Sequence, residues 1–399
     1  MLKYIRHLII YTFLSLLMIC GIVSYPTSGK AAVAANAAIA VDAQTGQVLY
    51  QQNADKRLAV ASMSKLLTIA VIEHEIDAGR LKWSSQVKIT LAEAKLSRAS
   101  GYSNVPLQSG KSYTVKELTD AALIKSGDAA TIALSRAEGK NTQQFVQQMG
   151  AEAQRIGLSN YRLYNGVGLE NKDMASFKLA RTAGSAENEM TARDVAKLSR
   201  YLINNYPSIL KITKQRVLKW DGKTYQNGNE LLAGNSNAPR QVKVDGLKTG
   251  TSDKAGQCLA STGVYNGHRI ITVVMHAGDR FTQTKEVYQE VFTKWTPNNG
   301  KQSLRVNVEH GQKKQVVVQT KQNVTVWQPK GQRIKPELVA SKAYRGDQGL
   351  KAPLKKNNSV GKITFKGLTN INGQPLQIGA YPAEEVNRSG ILGWLETFF

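Results

Sequence analysis

Three short motifs in the 399-residue sequence carry side chains that could perform nucleophilic catalysis. Ser62 and Lys65 form a Ser-x-x-Lys motif, Ser126-Gly127-Asp128 follows, and Lys248-Thr249-Gly250 lies later in the chain. A serine hydroxyl can attack a carbonyl carbon when a neighbouring neutral amine accepts its proton. The three motifs therefore indicate acyl transfer through a covalent serine intermediate.

Ser-x-x-Lys is a weak signal by itself, because the same spacing occurs at Ser85 and at Ser208. Ser85 leads into an alternating strand-like segment, and Ser208 lies in a turn-like one. Only Ser62 precedes a long apolar stretch, residues 63–78, which Gly79 ends. This stretch has almost no polar face, so it predicts a buried central helix that begins at Ser62.

At the start of such a helix, Lys65 would lie on the same face as Ser62, because side chains three residues apart are neighbours. The free N–H groups of a helix start can stabilise an oxyanion. Burial and a second cation, Lys248, would lower the pKa of Lys65 until its neutral amine accepts the serine proton. Lys248 is predicted on a strand in which Gly250 allows close approach of a ligand backbone.

The segments around the motifs predict an antiparallel sheet covered by helices. Alternating runs within residues 38–51 flank the turn at 43–46 and predict a β-hairpin. Three strands are predicted within residues 242–275, and a helix over 283–295 must stop at the Thr-Pro-Asn-Asn-Gly segment that follows. Further helical patterns cover residues 115–124, 129–137, 142–156 and 192–205.

Residues 35–298 are therefore predicted to form the catalytic domain, and residues 299–380 a small all-β domain of short alternating runs. These runs cover residues 304–308, 315–318, 324–327 and 362–365. Residues 381–399 are predicted to form an amphipathic helix that is too short to span a membrane but suits its surface. Its apolar face carries Ile391, Leu392, Leu395, Phe398 and Phe399 beside Trp394. A helix docked on the β domain is the alternative.

The N-terminal residues 1–34 are typical of a secretory signal peptide. Lys3 and Arg6 precede an apolar stretch over residues 8–23, and Ala32-Val33-Ala34 supplies small residues for cleavage. An uncleaved anchor helix is the alternative, and both interpretations export the rest of the chain. The predicted location is the extracytoplasmic face of the cell membrane or the cell wall.

The basic composition indicates either anionic binding partners or a surface charge that only keeps the protein soluble. The formal net charge is +24, and removal of residues 1–34 would leave about +21. Wall polymers and acidic lipid headgroups fit this charge better than nucleic acid, because the sequence lacks long Lys/Arg runs and aromatic-rich basic motifs. Signal cleavage would leave Cys258 as a single thiol, so no internal disulfide is expected. The five scattered histidines show no close His/Cys spacing, so no structural metal is expected, and no cofactor is predicted.

The order of the motifs, Ser-x-x-Lys, Ser-x-Asn-like and Lys-Thr-Gly, resembles that of penicillin-binding proteins and class A β-lactamases. The chain is most similar to the low-molecular-mass penicillin-binding proteins that act as D-alanyl-D-alanine carboxypeptidases. The resemblance covers nearly the whole mature chain and includes residues 61–65, 191–194, 227–232, 245–250, 255–256 and 352–361. It implies an α/β (α+β) catalytic domain of the serine β-lactamase type, a C-terminal β domain and a terminal amphipathic helix.

The resemblance also implies roles for the site residues. Ser62 would attack the carbonyl of the penultimate D-alanine, and Lys65 would take its proton. Ser126 would relay a proton to the leaving amine, and Lys248 would hold the terminal carboxylate. The oxyanion hole of that family uses the N–H groups that match Ser62 and Thr251.

The remaining substrate-binding residues implied are Thr249, Gly250, Asp128 and Arg280. Arg280 matches a residue implicated in placing the substrate carboxylate, although a surface arginine is an equal alternative. Asp128 departs from the family, which usually has asparagine there. A carboxylate cannot donate to a substrate carbonyl, so Asp128 is expected to pair with Lys65 or Lys248.

The implied reaction removes the terminal D-alanine from peptidoglycan stem peptides, which limits cross-linking in the cell wall and affects cell shape. β-Lactams would be covalent inhibitors at Ser62. A class A β-lactamase is disfavoured, because no Glu-x-x-Leu-Asn string precedes Lys248. A D,D-transpeptidase or endopeptidase and a catalytically inactive wall-binding module remain the alternatives.

Overall fold

The computed structural model describes residues 33–390. Most of the predicted signal peptide and the end of the predicted terminal helix therefore lie outside the described residues. Within residues 33–390, no helix combines the length and apolar composition needed to cross a membrane.

The first part of the chain combines helices with antiparallel strands. Its α-helices are α1 (Lys65–Asp77), α2 (Leu91–Leu96), α3 (Val115–Ile124), α4 (Asp128–Ser135), α5 (Thr142–Ile156), α6 (Ala192–Asn205), α7 (Ile209–Thr213) and α8 (Arg280–Lys294). Its strands are β1 (Ala35–Asp42), β2 (Val48–Gln52), β3 (Arg57–Ala59), β4 (Gln86–Lys88), β5 (Ser112–Thr114), β6 (Glu189–Thr191), β7 (Val217–Trp220), β8 (Lys223–Gln226), β9 (Lys243–Ser252), β10 (Gly256–Tyr265) and β11 (His268–Ala277). Two 3-10 segments cover Ala61–Ser64 and Asn171–Phe177.

The central sheet has the order β2-β1-β11-β10-β9, and its neighbouring strands are antiparallel. The hairpin predicted over residues 38–51 and the three strands predicted within 242–275 are confirmed. Alternate residues of β1 point to opposite faces, so that Ile39 joins one core and Ala40 joins another. Both faces of the sheet are thus covered, which confirms the predicted architecture.

Helix α1 lies in the centre of the larger core, with apolar side chains buried along nearly its whole length. The predicted burial is confirmed, but the predicted start at Ser62 differs, because residues 61–64 form a 3-10 turn before the α-helix begins at Lys65. Helices α3, α5 and α6 have the predicted bounds. Their first turns are fixed by side-chain caps from Thr114, Asn141 and Thr191.

The C-terminal part is all-β and has its own apolar core. Its strands are β12 (Trp295–Gly300), β13 (Ser303–Glu309), β14 (Gln315–Gln319), β15 (Val324–Pro329), β16 (Pro336–Ala340), β17 (Leu350–Lys351), β18 (Gly361–Thr369) and β19 (Pro375–Pro382). Six of them form a sheet in the order β16-β18-β19-β14-β13-β17. Helix α8 covers residues 280–294 instead of the predicted 283–295, and residues 295–300 form β12, which pairs with β15.

The prediction of a helix over residues 381–399 is wrong for residues 381–390. Strand β19 extends to Pro382, Val386 forms an isolated bridge with Leu354, and Arg388 forms another with Gly311. Backbone hydrogen bonds thus hold this segment on the β domain instead of allowing a helical turn. The remaining residues of the predicted helix, 391–399, lie outside the described residues.

Trp327 of β15 joins the β domain to the central sheet. Its indole Nε1 donates to Asp42 Oδ2 at 2.9 Å, and its backbone N–H donates to Gln47 Oε1 at 2.9 Å. Gln47 Nε2 returns a hydrogen bond to the Trp327 carbonyl at 2.7 Å. The side chain is fully buried, so its ring and its polar atom both find partners.

We expect Trp327→Ala to lower the free energy of unfolding by about 3–5 kcal/mol, because it leaves a cavity and removes the indole donor to the buried Asp42 Oδ2. Urea unfolding followed by circular dichroism measures this loss. Val339→Ala, at an exposed position of β16, is the control and should change the free energy by less than about 0.5 kcal/mol. A change of similar size in both variants would contradict this role of Trp327.

Candidate active site

The turn that carries Ser62 places its hydroxyl next to the amine of Lys65. Lys65 is the first residue of α1, and its Nζ lies 2.6 Å from Ser62 Oγ. Ser62 is partly exposed, whereas Lys65 is completely buried. The structure therefore has the predicted arrangement of an accessible hydroxyl beside a shielded amine.

The same amine reaches the second motif. Lys65 Nζ lies 3.4 Å from Ser126 Oγ and forms an ion pair with Asp128 Oδ1 at 2.8 Å. The other carboxylate oxygen of Asp128 accepts a hydrogen bond from the backbone N–H of Ser103 at 2.9 Å. Asp128 is thus held in place from two sides, and of the two lysines expected as its partner it pairs with Lys65.

Two local features hold Ser126 in this position. Ser126 has a positive φ of 63°, and the N–H of Gly127 donates to the Ala121 carbonyl at 2.9 Å. Helix α4 then covers Asp128–Ser135, so it begins one residue before and ends two residues before the predicted range of 129–137. The turn between α3 and α4 thereby directs Ser126 and Asp128 towards the same lysine.

Strand β9 supplies the Lys-Thr-Gly motif. Lys248 is buried, and its Nζ donates to the Thr249 carbonyl at 2.9 Å. A Cβ atom on Gly250 would come within 2.6 Å of the Val60 carbonyl. Glycine is therefore needed here for the strand to pack against the turn before Ser62, whereas the sequence indicated only approach of a ligand. Thr251, the next residue, is exposed.

The buried charges of the site affect one another. Burial lowers the pKa of Lys65, and the Asp128 carboxylate partly opposes this effect. Burial also lowers the pKa of Lys248 to well below its usual range, and the Lys65 cation lowers it further. Burial of Lys65 therefore favours its neutral amine, which a base at Ser62 requires.

Arg280 is a buried residue at the start of α8, so the alternative of a surface arginine is wrong. Its guanidinium donates to the carbonyls of Gly250 at 2.8 Å and Cys258 at 3.1 Å. It also contacts Thr251 Oγ1. Arg280 therefore ties the end of β9 to β10 beside the Lys-Thr-Gly motif.

A glycine-containing loop outside the three motifs closes the site on another side. The Val167 carbonyl accepts a hydrogen bond from Lys65 Nζ at 3.3 Å. Gly168 has a positive φ of 85°, and a Cβ atom there would come within 1.9 Å of the Ala61 carbonyl. The Asn-Gly-Val-Gly sequence of residues 165–168 indicates a turn, but nothing in it points to Ser62.

Cys258 is not a second nucleophile of this site. Its thiol is buried and donates to the Ala255 carbonyl at 3.3 Å. Burial raises the pKa of the thiol to about 11, so the reactive thiolate is rare at neutral pH. No group of three or more His, Cys, Asp or Glu residues within 33–390 could hold a metal ion.

Comparisons with known proteins match both parts of the chain. A family model described as D-alanyl-D-alanine carboxypeptidase matches residues 24–279, and one described as penicillin-binding protein 5, C-terminal domain, matches residues 294–380. The D-alanyl-D-alanine carboxypeptidase DacF of Bacillus subtilis is 26% identical over 381 residues, which cover 91% of this chain and 88% of DacF.

Solved structures agree with these matches. The crystal structure of a peptidoglycan synthesis regulatory factor (PBP3) from Streptococcus pneumoniae has a TM-score of 0.76 and 28% identity, over 90% of this chain and 100% of that chain. Penicillin-binding protein D2 from Listeria monocytogenes, in its cefotaxime-bound form, has a TM-score of 0.54 and 27% identity, over 66% of this chain and 99% of that chain.

We expect Asp128→Asn to preserve or raise the rate of serine acylation and to shift its pH profile towards lower pH. The Asp128 carboxylate raises the pKa of Lys65, so its removal leaves more neutral amine at a given pH. The measurement is the second-order rate of labelling by a fluorescent penicillin across a pH series.

Asp253→Asn, which alters an exposed carboxylate close in sequence to β9, is the control and should leave the profile unchanged. A loss of more than roughly tenfold in Asp128→Asn at every pH would show that the carboxylate itself is needed for acylation.

Proposed function

This chain belongs to the D-alanyl-D-alanine carboxypeptidase family of serine peptidases, and we propose that it removes the terminal D-alanine from peptidoglycan stem peptides through a Ser62 acyl-enzyme. The observation that carries this proposal is the 2.6 Å distance between Lys65 Nζ and Ser62 Oγ. A buried amine at this distance can accept the hydroxyl proton as the oxygen attacks.

In the acylation step, Ser62 Oγ bonds to the carbonyl carbon of the penultimate D-alanine, and the peptide bond to the last D-alanine breaks. Lys65 takes the serine proton. Ser126, whose Oγ lies 3.4 Å from Lys65 Nζ, gives its proton to the leaving amine and receives the proton held by Lys65. Lys65 is then neutral again and can accept a proton from the water that hydrolyses the acyl-enzyme.

The other residues of the site hold the substrate in this scheme. The N–H groups of Ser62 and Thr251 form the oxyanion hole, and Lys248 binds the terminal carboxylate. A substrate carboxylate also stabilises the charged form of the Lys248 amine, which burial disfavours in the free enzyme. Arg280 supports the Lys-Thr-Gly strand in this scheme, since it donates to Gly250, Cys258 and Thr251.

β-Lactams are the expected covalent inhibitors, because a strained amide would acylate Ser62 in the same way as the substrate. Removal of terminal D-alanine would limit cross-linking in the wall. Transfer to an amine acceptor would use the same acyl-enzyme, so a transpeptidase or endopeptidase activity differs only in what attacks it. Product analysis on a pentapeptide, with and without an added amine, distinguishes hydrolysis from transfer.

We expect Ser62→Ala to abolish covalent labelling by a fluorescent penicillin and release of D-alanine from a pentapeptide. Ser208→Ala is the matched control, because Ser208 also begins a Ser-x-x-Lys sequence but is exposed. Labelling of the folded Ser62→Ala protein, or no labelling of the folded wild type, would contradict the proposal. The latter result would favour a wall-binding module.

We also propose export through the N-terminal signal peptide and attachment to the membrane surface through residues 391–399. The domain division proposed is residues 35–298 and 299–390, with the described residues 381–390 included in the β domain. The apolar face of residues 391–399 supports an interfacial helix.

We expect truncation after Gly390 to release the processed protein from membranes without loss of penicillin labelling. This end point keeps the contacts of Val386 and Arg388 with the β domain, which a truncation after Ala380 would remove. Membrane and soluble fractions are compared by immunoblotting, with the full chain as control. Membrane retention of the truncated protein after confirmed signal cleavage would exclude the terminal helix as the anchor.

A further inference from the structure

Glu187 is a completely buried carboxylate that belongs to none of the catalytic motifs. Its two oxygens lie 2.8 Å and 3.0 Å from Ser252 Oγ. The backbone amide of Ala61 also faces the carboxylate closely enough to lower its pKa, although burial raises this pKa more strongly. One carboxylate therefore interacts with two segments that are far apart in sequence.

These two segments carry the N–H groups of the proposed oxyanion hole. Ala61 immediately precedes Ser62, and Ser252 immediately follows Thr251. The residue after Glu187 supports the same turn, because the Val60 N–H donates to the Asn188 carbonyl at 3.0 Å. The position of residues 187–188 thus fixes both the nucleophile turn and the end of β9.

The turn needs such external support. Ala61 has a positive φ of 43°, a conformation that costs free energy for a residue with a Cβ atom and persists only when its surroundings hold it. Ser252 is also oriented, because its Oγ accepts a hydrogen bond from the Ala255 N–H at 3.0 Å. Its hydroxyl proton is therefore available for the carboxylate, which only accepts hydrogen bonds.

We propose that Glu187 is a positioning residue that links Ala61 to Ser252 and so fixes the separation of the Ser62 and Thr251 N–H groups. The inference rests on the proposed function, since it assumes that these two groups bind the oxyanion. Glu187 acts through the backbone and does not touch the substrate. Loss of the link should therefore impair the tetrahedral transition state more than substrate binding.

The test compares Glu187→Ala, Glu187→Gln and Ser252→Ala, with Glu189→Ala as the matched control. Glu189 is a nearby carboxylate that pairs instead with Arg57, Arg162 and Lys254. For each variant, kcat and KM are measured on a pentapeptide, together with the acylation rate by penicillin. The affinity for a peptidyl boronic acid, which forms a tetrahedral adduct with serine, reports on the oxyanion hole. Circular dichroism and thermal unfolding report the folded fraction.

We expect Glu187→Ala to lower kcat, the acylation rate and boronic acid affinity by on the order of tenfold to a hundredfold, with KM changed by less than about threefold. Glu187→Gln keeps an acceptor oxygen, so it should stay within about threefold of the wild type. The Glu187→Ala/Ser252→Ala double variant should lose no more activity than the more impaired single variant, because both changes break one link. Glu189→Ala should behave as the wild type.

A folded Glu187→Ala protein with unchanged kcat, or a loss seen equally in Glu187→Gln, would overturn the inference. If Glu187→Ala does not fold, Ser252→Ala is the deciding variant. A wild-type kcat in the folded Ser252→Ala protein would then overturn the inference. Failure of the wild type to react with penicillin would instead disprove the proposed function. Normal acylation in both the wild type and Glu187→Ala would disprove only the role of Glu187.

Discussion

Two buried lysines and one carboxylate belong to the site around Ser62, and the chemistry of the site depends on which of these three groups are charged. Lys65 contacts Ser62, Ser126 and Asp128 at the same time, so its protonation state decides whether the serine can lose its proton. Burial disfavours the charged amines, while Asp128 favours a charged Lys65. Burial and Asp128 thus act on the pKa of Lys65 in opposite directions, and burial has the larger effect.

This balance requires the backbone around the nucleophile to be packed very closely. Gly250 on β9 and Gly168 in the neighbouring loop both lie where a Cβ atom would strike a carbonyl of the turn before Ser62. Water is excluded from Lys65 because these segments touch, and an exposed amine would keep its ordinary pKa. The two glycines therefore influence the electrostatics of the site through packing, although neither carries a charge.

Much of this arrangement follows from sequence, since a spacing of three residues fixed Ser62 beside Lys65 and periodicity gave the bounds of α3, α5 and α6. Contacts between distant segments were less predictable. The sequence left open whether Asp128 pairs with Lys65 or with Lys248. Glu187 belongs to no recognisable motif, so its burial could not be predicted. Residues 295–300 resemble a turn but form β12, because pairing with β15 outweighs their local preference. Residues 381–390 are held by the β domain for the same reason.

Because Lys248 is the proposed partner of the substrate carboxylate, a bound substrate can change the protonation of both lysines in the site. In the free enzyme, Lys248 has a backbone carbonyl as its hydrogen-bond acceptor, and both burial and Lys65 lower its pKa. The terminal carboxylate of a bound substrate would place a negative charge beside the Lys248 amine and so favour its protonation. A cationic Lys248 beside Lys65 in turn disfavours a second buried cation, so the Lys65 proton becomes easier to lose. Binding of the correct chain end would therefore help to generate the neutral Lys65 amine that takes the proton of Ser62.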